Sequence, residues 1–301
     1  MMRTESNYAP ALCYGEILWD VLPDGPQPGG APLNVAYHLN KMGLSTGIIS
    51  KIGNDSKGER LVSLMNKWGI NLQFLQVDTV YPTSEVLAKM NGNEVTYEIV
   101  FPVAWDFITK NSQIQSSIAF STYLVYGSLA SRNDTSRNTL LKLLETDAIK
   151  VFDINLRPPF MERDLLKILL EKADIVKLNQ AELELVQIIF NGPLTTEVSQ
   201  VKFIQDRFNV GEVVITKGEF GASYYTSKKG YHLWGNEVKV KDTIGSGDSF
   251  LAAFIANHYL KAQPEIILKN AIAMGAFIAT KKGGCPDYEI EEYENAKNKM
   301  F

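Results

Sequence analysis

The stretch best equipped for chemistry runs from Asp242 to Phe250, Asp-Thr-Ile-Gly-Ser-Gly-Asp-Ser-Phe. It passes into Leu251-Ala252-Ala253-Phe254-Ile255-Ala256, an apolar run that reads as a buried helix. A helix that opens on glycines leaves its first backbone N–H groups without partners, and with the helix dipole they make a cradle for an anion such as phosphate. Asp248 falls in the first turn of that helix. A carboxylate repels an anion held there, unless its task is to take a proton from an incoming nucleophile. The combination describes phosphoryl transfer to a hydroxyl. The same residues also suit an N-capped helix after a tight turn, so the rest of the chain must decide.

Other polar residues recur where predicted strands end. Ala11 to Leu22 reads as one strand holding Asp20, and stops at Pro23-Asp24-Gly25-Pro26. Gly29-Gly30 then precedes an amphipathic helix to Met42 with Asn34 in its first turns, and paired glycines let a ligand approach the backbone closely. Further strands are predicted over Ile48–Ile52, Phe120–Tyr126, Lys150–Ile154, Ile175–Leu178 and Val213–Thr216, and a β-rich segment over Tyr231–Val240. Helices are predicted over Gly58–Trp68, Ser136–Glu145, Asp164–Lys172, Ala181–Phe190 and Pro264–Lys281. Repeated strand–helix units imply a mostly parallel sheet with helices on both faces, and ligands of such sheets bind beyond the carboxyl ends of the strands. Asp20, Ser128, Asn155, Arg157, Asn179, Thr216 and Asp248 all sit at those ends, which points to one shared cleft. Ser84–Met90 and Glu94–Val100 alternate apolar and polar around Asn91-Gly92-Asn93, a hairpin signature that suits an edge or a small lid over a site.

Composition narrows the possibilities. The chain has 301 residues, 45% hydrophobic and 21% charged, enough for one large α/β core, with no repeat or linker to divide it. A net charge of −4 gives no basic surface for nucleic acid or anionic membrane. No apolar run reaches a membrane span and the N-terminal residues lack a signal-peptide core, so the expectation is a cytoplasmic protein. Cys13 and Cys285 are far apart and read as free thiols, and His38, His232 and His258 form no cluster for a transition metal.

Taken in order, these motifs resemble the ribokinase-like, phosphofructokinase-B type sugar kinases, and within them the bacterial fructokinases. The resemblance covers Gly15 to Asp287 and rests on Gly29-Gly30-Ala31-Pro32-Leu33-Asn34-Val35-Ala36, Pro102-Val103-Ala104-Trp105-Asp106, Tyr126-Gly127-Ser128-Leu129-Ala130, Asp153-Ile154-Asn155-Leu156-Arg157-Pro158, Lys177-Leu178-Asn179-Gln180-Ala181-Glu182 and the Asp242–Phe250 turn. It implies a single ribokinase-like domain over 1–301, with a lid from strands within about 16–24 and 83–103. It assigns Asp248 as catalytic base and the Gly245, Ser246 and Gly247 amides as an anion hole. Asp20, Gly30, Asn34 and Arg157 fall on sugar positions. Asn179, Glu182, Thr216, Gly218, Gly221 and Asn270 fall on nucleotide and magnesium positions. Asp242, Ile244 and Gly283 would line a monovalent cation site, K+ in many relatives. Ser246 stands where alanine is commoner, and Asp287 where a small hydroxyl is common.

The expectation is therefore an ATP- and Mg2+-dependent kinase converting D-fructose to fructose 6-phosphate, with a homodimer through the lid as its possible assembly. Ribose or 2-keto-3-deoxygluconate as substrate is the nearest rival. A catalytically silent sugar-binding protein on the same fold is the rival of another class, against which the retained Asp248 argues. A nicotinamide-binding Rossmann protein fails because no Gly-x-Gly-x-x-Gly follows the first strand.

Overall fold

The computed structural model describes residues 9–22, 25–91 and 94–301. Its centre is a nine-stranded sheet formed by β1 (Ala11–Tyr14), β4 (Thr46–Gly53), β5 (Leu75–Asp78), β8 (Tyr123–Gly127), β9 (Ile149–Asp153), β10 (Ile175–Asn179), β11 (Glu212–Thr216), β12 (Ala222–Tyr225) and β13 (Gly230–Leu233), in the order β13-β12-β11-β10-β9-β8-β1-β4-β5. Pairing is parallel from β5 to β11 and antiparallel for β12 and β13. The expected mostly parallel α/β architecture stands.

Alternation along the strands divides the apolar residues between two layers. Ala11, Cys13, Val125 and Val151 face one layer, together with α1 (Ala31–Lys41), α2 (Ser56–Lys67), α8 (Ser246–Tyr259), α9 (Pro264–Ala279) and α10 (Ile290–Met300). Leu12, Tyr14, Leu124, Tyr126 and Phe152 face the other, with α3 (Ser112–Ile118), α4 (Asp134–Leu143), α5 (Arg163–Glu171), α6 (Gln180–Phe190) and α7 (Glu197–Phe208). Strands covered on both faces are apolar throughout, which is why β1 reads Ala-Leu-Cys-Tyr without a polar residue. Helix α8 is apolar on every side from Phe250 to Ala256 because it is wedged between α1 and α9. Its first turn is thereby fixed at the sheet's carboxyl edge.

A second, four-stranded sheet has the order β3-β2-β6-β7, from β2 (Leu18–Leu22), β3 (Gly25–Gly29), β6 (Ser84–Asn91) and β7 (Glu94–Ile99). Here the structure corrects the sequence reading, because Ala11 to Leu22 is two strands in two different sheets. The chain breaks at Gly15, whose φ of +139° is one that L side chains rarely adopt and whose missing Cβ would lie 2.9 Å from Pro32. After that turn β2 pairs with β6, more than sixty residues away, in parallel register from Leu18↔Ser84 to Val21↔Leu87. The Gly25-Pro26-Gln27-Pro28-Gly29 segment is likewise the edge strand β3, a position in a sheet where prolines are tolerated. The strand signal over Tyr231–Val240 is kept only to Leu233.

Candidate active site

A cleft of about 1160 Å³ opens along the carboxyl ends of β8 to β11 and is roofed by the second sheet. Leu18, Asp20 and Val21 of β2, Val86 of β6 and Ile99 of β7 form one wall. Thr243, Ile244, Gly245, Gly247 and Asp248 form the floor at the start of α8. The cleft continues past Asn155, Arg157 and Lys177 to Asn179, Glu182 and Thr216. Residues far apart in sequence thus meet because the parallel strands deliver their ends to one edge.

The floor is a helix N-terminus with open donors. Gly245 is the N-cap of α8 in the left-handed conformation, φ +74°. Among the described residues the amides of Gly245, Gly247 and Asp248 meet no acceptor. The Ser246 amide differs from expectation, since it donates to the Thr243 carbonyl at 3.2 Å while its hydroxyl donates to the Gly275 carbonyl at 2.9 Å. Ser246 therefore closes the four-residue turn from Thr243 rather than lining the cleft.

Asp248 accepts a hydrogen bond from Asn34 Nδ2 at 2.8 Å. Burial, then the nearby Asp153 carboxylate, push its carboxyl up to about 6, against the pull of Lys177, the Asn34 bond and Arg157. An acid of that strength holds and releases a proton near neutrality, the property a base for an alcohol needs. Asn34 itself is buried on α1, and its other amide atom accepts the Cys285 thiol at 3.2 Å. Both ends of that side chain are committed, so it aims Asp248 as much as it faces the cleft.

Asp20 lies against Gly29 of the neighbouring strand and lines the cleft. Burial, together with repulsion from Asp248 and Asp242, raises it to about 6 despite Arg157. Arg157 is exposed at the mouth, its Nη1 donating to its own neighbour Leu156 at 3.3 Å. Gly30 is the N-cap of α1 and also lines the cleft. At the far end Asn179 and Glu182 form a reciprocal cap on α6: Asn179 Oδ1 accepts the Glu182 amide at 2.9 Å, and Glu182 Oε2 accepts the Asn179 amide at 2.9 Å. Glu182 Oε1 also accepts the Leu156 amide at 3.1 Å, tying the loop after β9 to α6.

Asp242, Ile244 and Gly283 converge as well. The Asp242 carboxylate accepts the Ile244 amide at 3.0 Å and the Gly283 amide at 2.9 Å. Gly218 and Gly221 flank the turn after Thr216 but are not among the cleft-lining residues. Asn270 is not brought to the cleft: its Nδ2 donates at 2.6 Å to Asn257, toward the distal end of α8. Asp287 is an exposed residue 3.9 Å from Lys41.

Three lining or adjoining residues had no role in the sequence reading. Lys177 is buried on β10 and donates to both oxygens of buried Asp153 at 3.0 and 2.9 Å. Glu16 is 2% exposed, lines the cleft, and keeps Oε2 without a partner among the described residues. Burial raises it to about 7. The available signal was a charge inside an otherwise apolar strand, as in Ile-Val-Lys-Leu and Val-Phe-Asp, since such groups are buried only when paired or used.

Comparison with known proteins gives a consistent set. The family model described as pfkB family carbohydrate kinase matches residues 24–291. The chain is 29% identical over 308 residues to probable fructokinase-5 of Arabidopsis thaliana, covering 91% of this chain and 93% of the relative. The structure is similar to that of a Xylella fastidiosa fructokinase with bound ATP, with a TM-score of 0.84, 20% identity, and 97% and 99% of the two chains covered. It is similar also to a Salmonella enterica aminoimidazole riboside kinase complexed with aminoimidazole riboside and an ATP analog, with a TM-score of 0.79, 22% identity, and 95% and 99% covered. At such identities these two structures bear on the fold alone.

Proposed function

Because the chain belongs to the pfkB family of carbohydrate kinases, we propose that it transfers the γ-phosphoryl group of ATP to the C6 hydroxyl of D-fructose, giving fructose 6-phosphate. The observation that carries the reading is Asp248, raised to about 6 and set among unpaired amides at the start of α8. Fructose as the sugar is supported by the fructokinase among the relatives.

In this reading the sugar occupies the end of the cleft lined by Asp20, Gly30, Asn34 and Arg157, and the nucleotide extends toward Asn179, Glu182 and Thr216. Asp248 accepts the hydroxyl proton as the new O–P bond forms and the bond to the departing ADP oxygen breaks. The Gly245 and Gly247 amides hold charge on the transferring group without reorganising, and this positioning is most of what phosphoryl transfer asks of a protein. Among the described residues no three carboxylate, histidine or cysteine groups converge as a metal centre. The oxygen donors of Glu182 and Asn179 fit a magnesium ion, which they would hold and which would neutralise charge on the nucleotide's phosphates. A monovalent cation would meet Asp242, whose oxygens keep lone pairs beyond the two amides they accept.

The second sheet, reaching the cleft through β2, β6 and β7, is assigned as the lid of a single kinase domain, and its outer face as the surface for a second copy. The test is an ATP-coupled assay over fructose, ribose and 2-keto-3-deoxygluconate. Turnover on fructose well above the others supports the reading. Preference for another sugar overturns the substrate, and no turnover on any overturns the kinase.

A further inference from the structure

Phe101, just beyond β7, and Phe160, just beyond Arg157, both line the cleft, and their ring centroids are 6.0 Å apart. The Phe160 amide donates to the Arg157 carbonyl at 2.9 Å, which fixes that ring close to a residue assigned to the sugar. Phe101 is 49% exposed, a large apolar side chain left open in the wall of a site. Beside the two rings lies Arg132, whose side chain is fully buried and is not among the cleft-lining residues. Its guanidinium stands 4.9 Å from each phenyl centroid and 3.9 Å from the Trp105 ring. Nε and Nη2 donate to the two oxygens of buried Asp106 at 2.7 and 2.8 Å, and Nη2 also donates to the Val100 carbonyl at 2.7 Å. A guanidinium shut away like this takes no anion from the cleft; it braces the two rings from the protein side by cation–π attraction. A free hexose bears an oxygen on every carbon and covers little apolar surface, so it leaves such a pair without a full partner.

We propose that Phe101 and Phe160 form a second subsite, for a flat apolar group carried on the anomeric carbon of the sugar. The proposal rests on the sugar-kinase reading above and deepens it, adding glycosides with an aromatic substituent to the substrates. In a fructofuranose, C6 and the anomeric substituent project from opposite sides of the ring oxygen. With the C6 hydroxyl at Asp248, the substituent is therefore directed away from α8, toward the loops after β7 and β9 that carry the two rings. The reaction is unchanged: the C6 hydroxyl loses its proton to Asp248 and gains the phosphoryl group, while the glycosidic bond stays intact. Aromatic rings fixed in advance cost little ordering when the substituent arrives, so the contact adds affinity for the glycoside over the bare sugar.

Methyl and benzyl β-D-fructofuranoside differ only in the ring, and the test compares their Kd values by calorimetry on the wild type, Phe101→Ala, Phe160→Ala and Phe101→Trp. Methyl and benzyl β-D-ribofuranoside repeat the comparison with ribose as the sugar. Covering one face of a phenyl group buries roughly 60–100 Å² of apolar surface, so the wild type should bind the benzyl glycoside about tenfold or more tighter than the methyl one. In either alanine variant that ratio should fall toward one, and Phe101→Trp should keep it. Reading a ratio makes the result independent of any general loosening of the variants. Equal binding of the two glycosides by the wild type overturns the subsite, and so does a ratio that survives both truncations. Binding of neither glycoside, with fructose still turned over in the coupled assay, also removes the subsite and leaves the kinase. Absence of binding and of turnover with every sugar overturns both readings together.

Discussion

Asp248, Asp20 and Glu16 share one cleft, and burial moves all three carboxyls toward neutrality, to about 6, 6 and 7. Asp248 must be ionised to accept a proton, so turnover should fall as the pH drops through about 6, rather than near the ordinary aspartate value of 3.8. The sign for stability is opposite. An acid raised on folding favours the folded chain below the unfolded value and loses that contribution as pH rises through the folded one. Asp248→Asn should therefore lower single-turnover phosphorylation by about two to four orders of magnitude while its melting temperature at about pH 8 is no lower than that of the wild type. A rate within about tenfold of wild type would remove Asp248 from the role of base. Asp20→Ala removes a charged acceptor for sugar hydroxyls, each such bond contributing roughly 1.5–3 kcal/mol, so fructose affinity should weaken about ten- to a hundredfold. Calorimetry with an ATP analogue should show nucleotide binding unchanged. Equal fructose binding by wild type and variant would make Asp20 a mere strand residue.

At the scale of elements, the start of α8 shows how chemistry and packing are combined. Gly245 is read from the sequence as one of the amides of an anion hole. The structure adds a second demand: φ is +74°, and a Cβ there would lie 2.5 Å from Gly284 Cα. Gly245→Ala should lose at least the roughly 1–3 kcal/mol of a strained backbone position, measured by denaturant unfolding, as well as turnover. Undiminished stability would mean that the turn relaxes. The strand–helix alternation from β8 to β11 was legible because each unit carries its own local periodicity and turn residues. Asn34, Asn179 and Asp248 stood out as polar residues at strand ends or helix starts, and Asp20 as a charge within an apolar run, although it lies in the middle of β2 rather than at a strand end. The split of Ala11–Leu22 was not, since both halves are apolar and only the distant partner β6 distinguishes them. Nor was Asn270's turn away from the cleft, which depends on how α9 is rotated against α8. Lys177 and Asp153 lacked a visible partner until parallel pairing set Lys177 beside Asp153.

Across the whole molecule, the cleft has a rigid floor and a separately built roof. The floor is anchored between two apolar layers, whereas the roof is a separate sheet joined to them by chain segments at Gly15, at Gly30 where β3 runs into α1, before β6 and after β7. On the proposed reading of this sheet as a lid, the roof closes over the floor and excludes water when both ligands are bound. Hydrogen exchange over β6 and β7, residues 84–91 and 94–99, should slow when fructose and an ATP analogue bind together, and less with either alone. Identical protection in all four states would show a roof that does not close.

The segment from Gly283 to Tyr288 touches this picture only from behind. Gly283 donates to Asp242, Gly284 packs under Gly245, and Cys285 donates to Asn34. Helix α1 grips the same segment through Tyr37 on the Pro286 carbonyl at 2.6 Å, His38 within 2.9 Å of the Gly284 carbonyl, and Lys41 on the Tyr288 carbonyl at 2.7 Å. For anyone re-cutting the chain, that makes it a poor place for new termini or a grafted peptide, although it joins two helices near the end of the sequence. Lengthening it by even one residue would shift the mould in which the turn before α8 is cast. The exposed turn between β12 and β13 carries no such duty and is the natural place to open the chain.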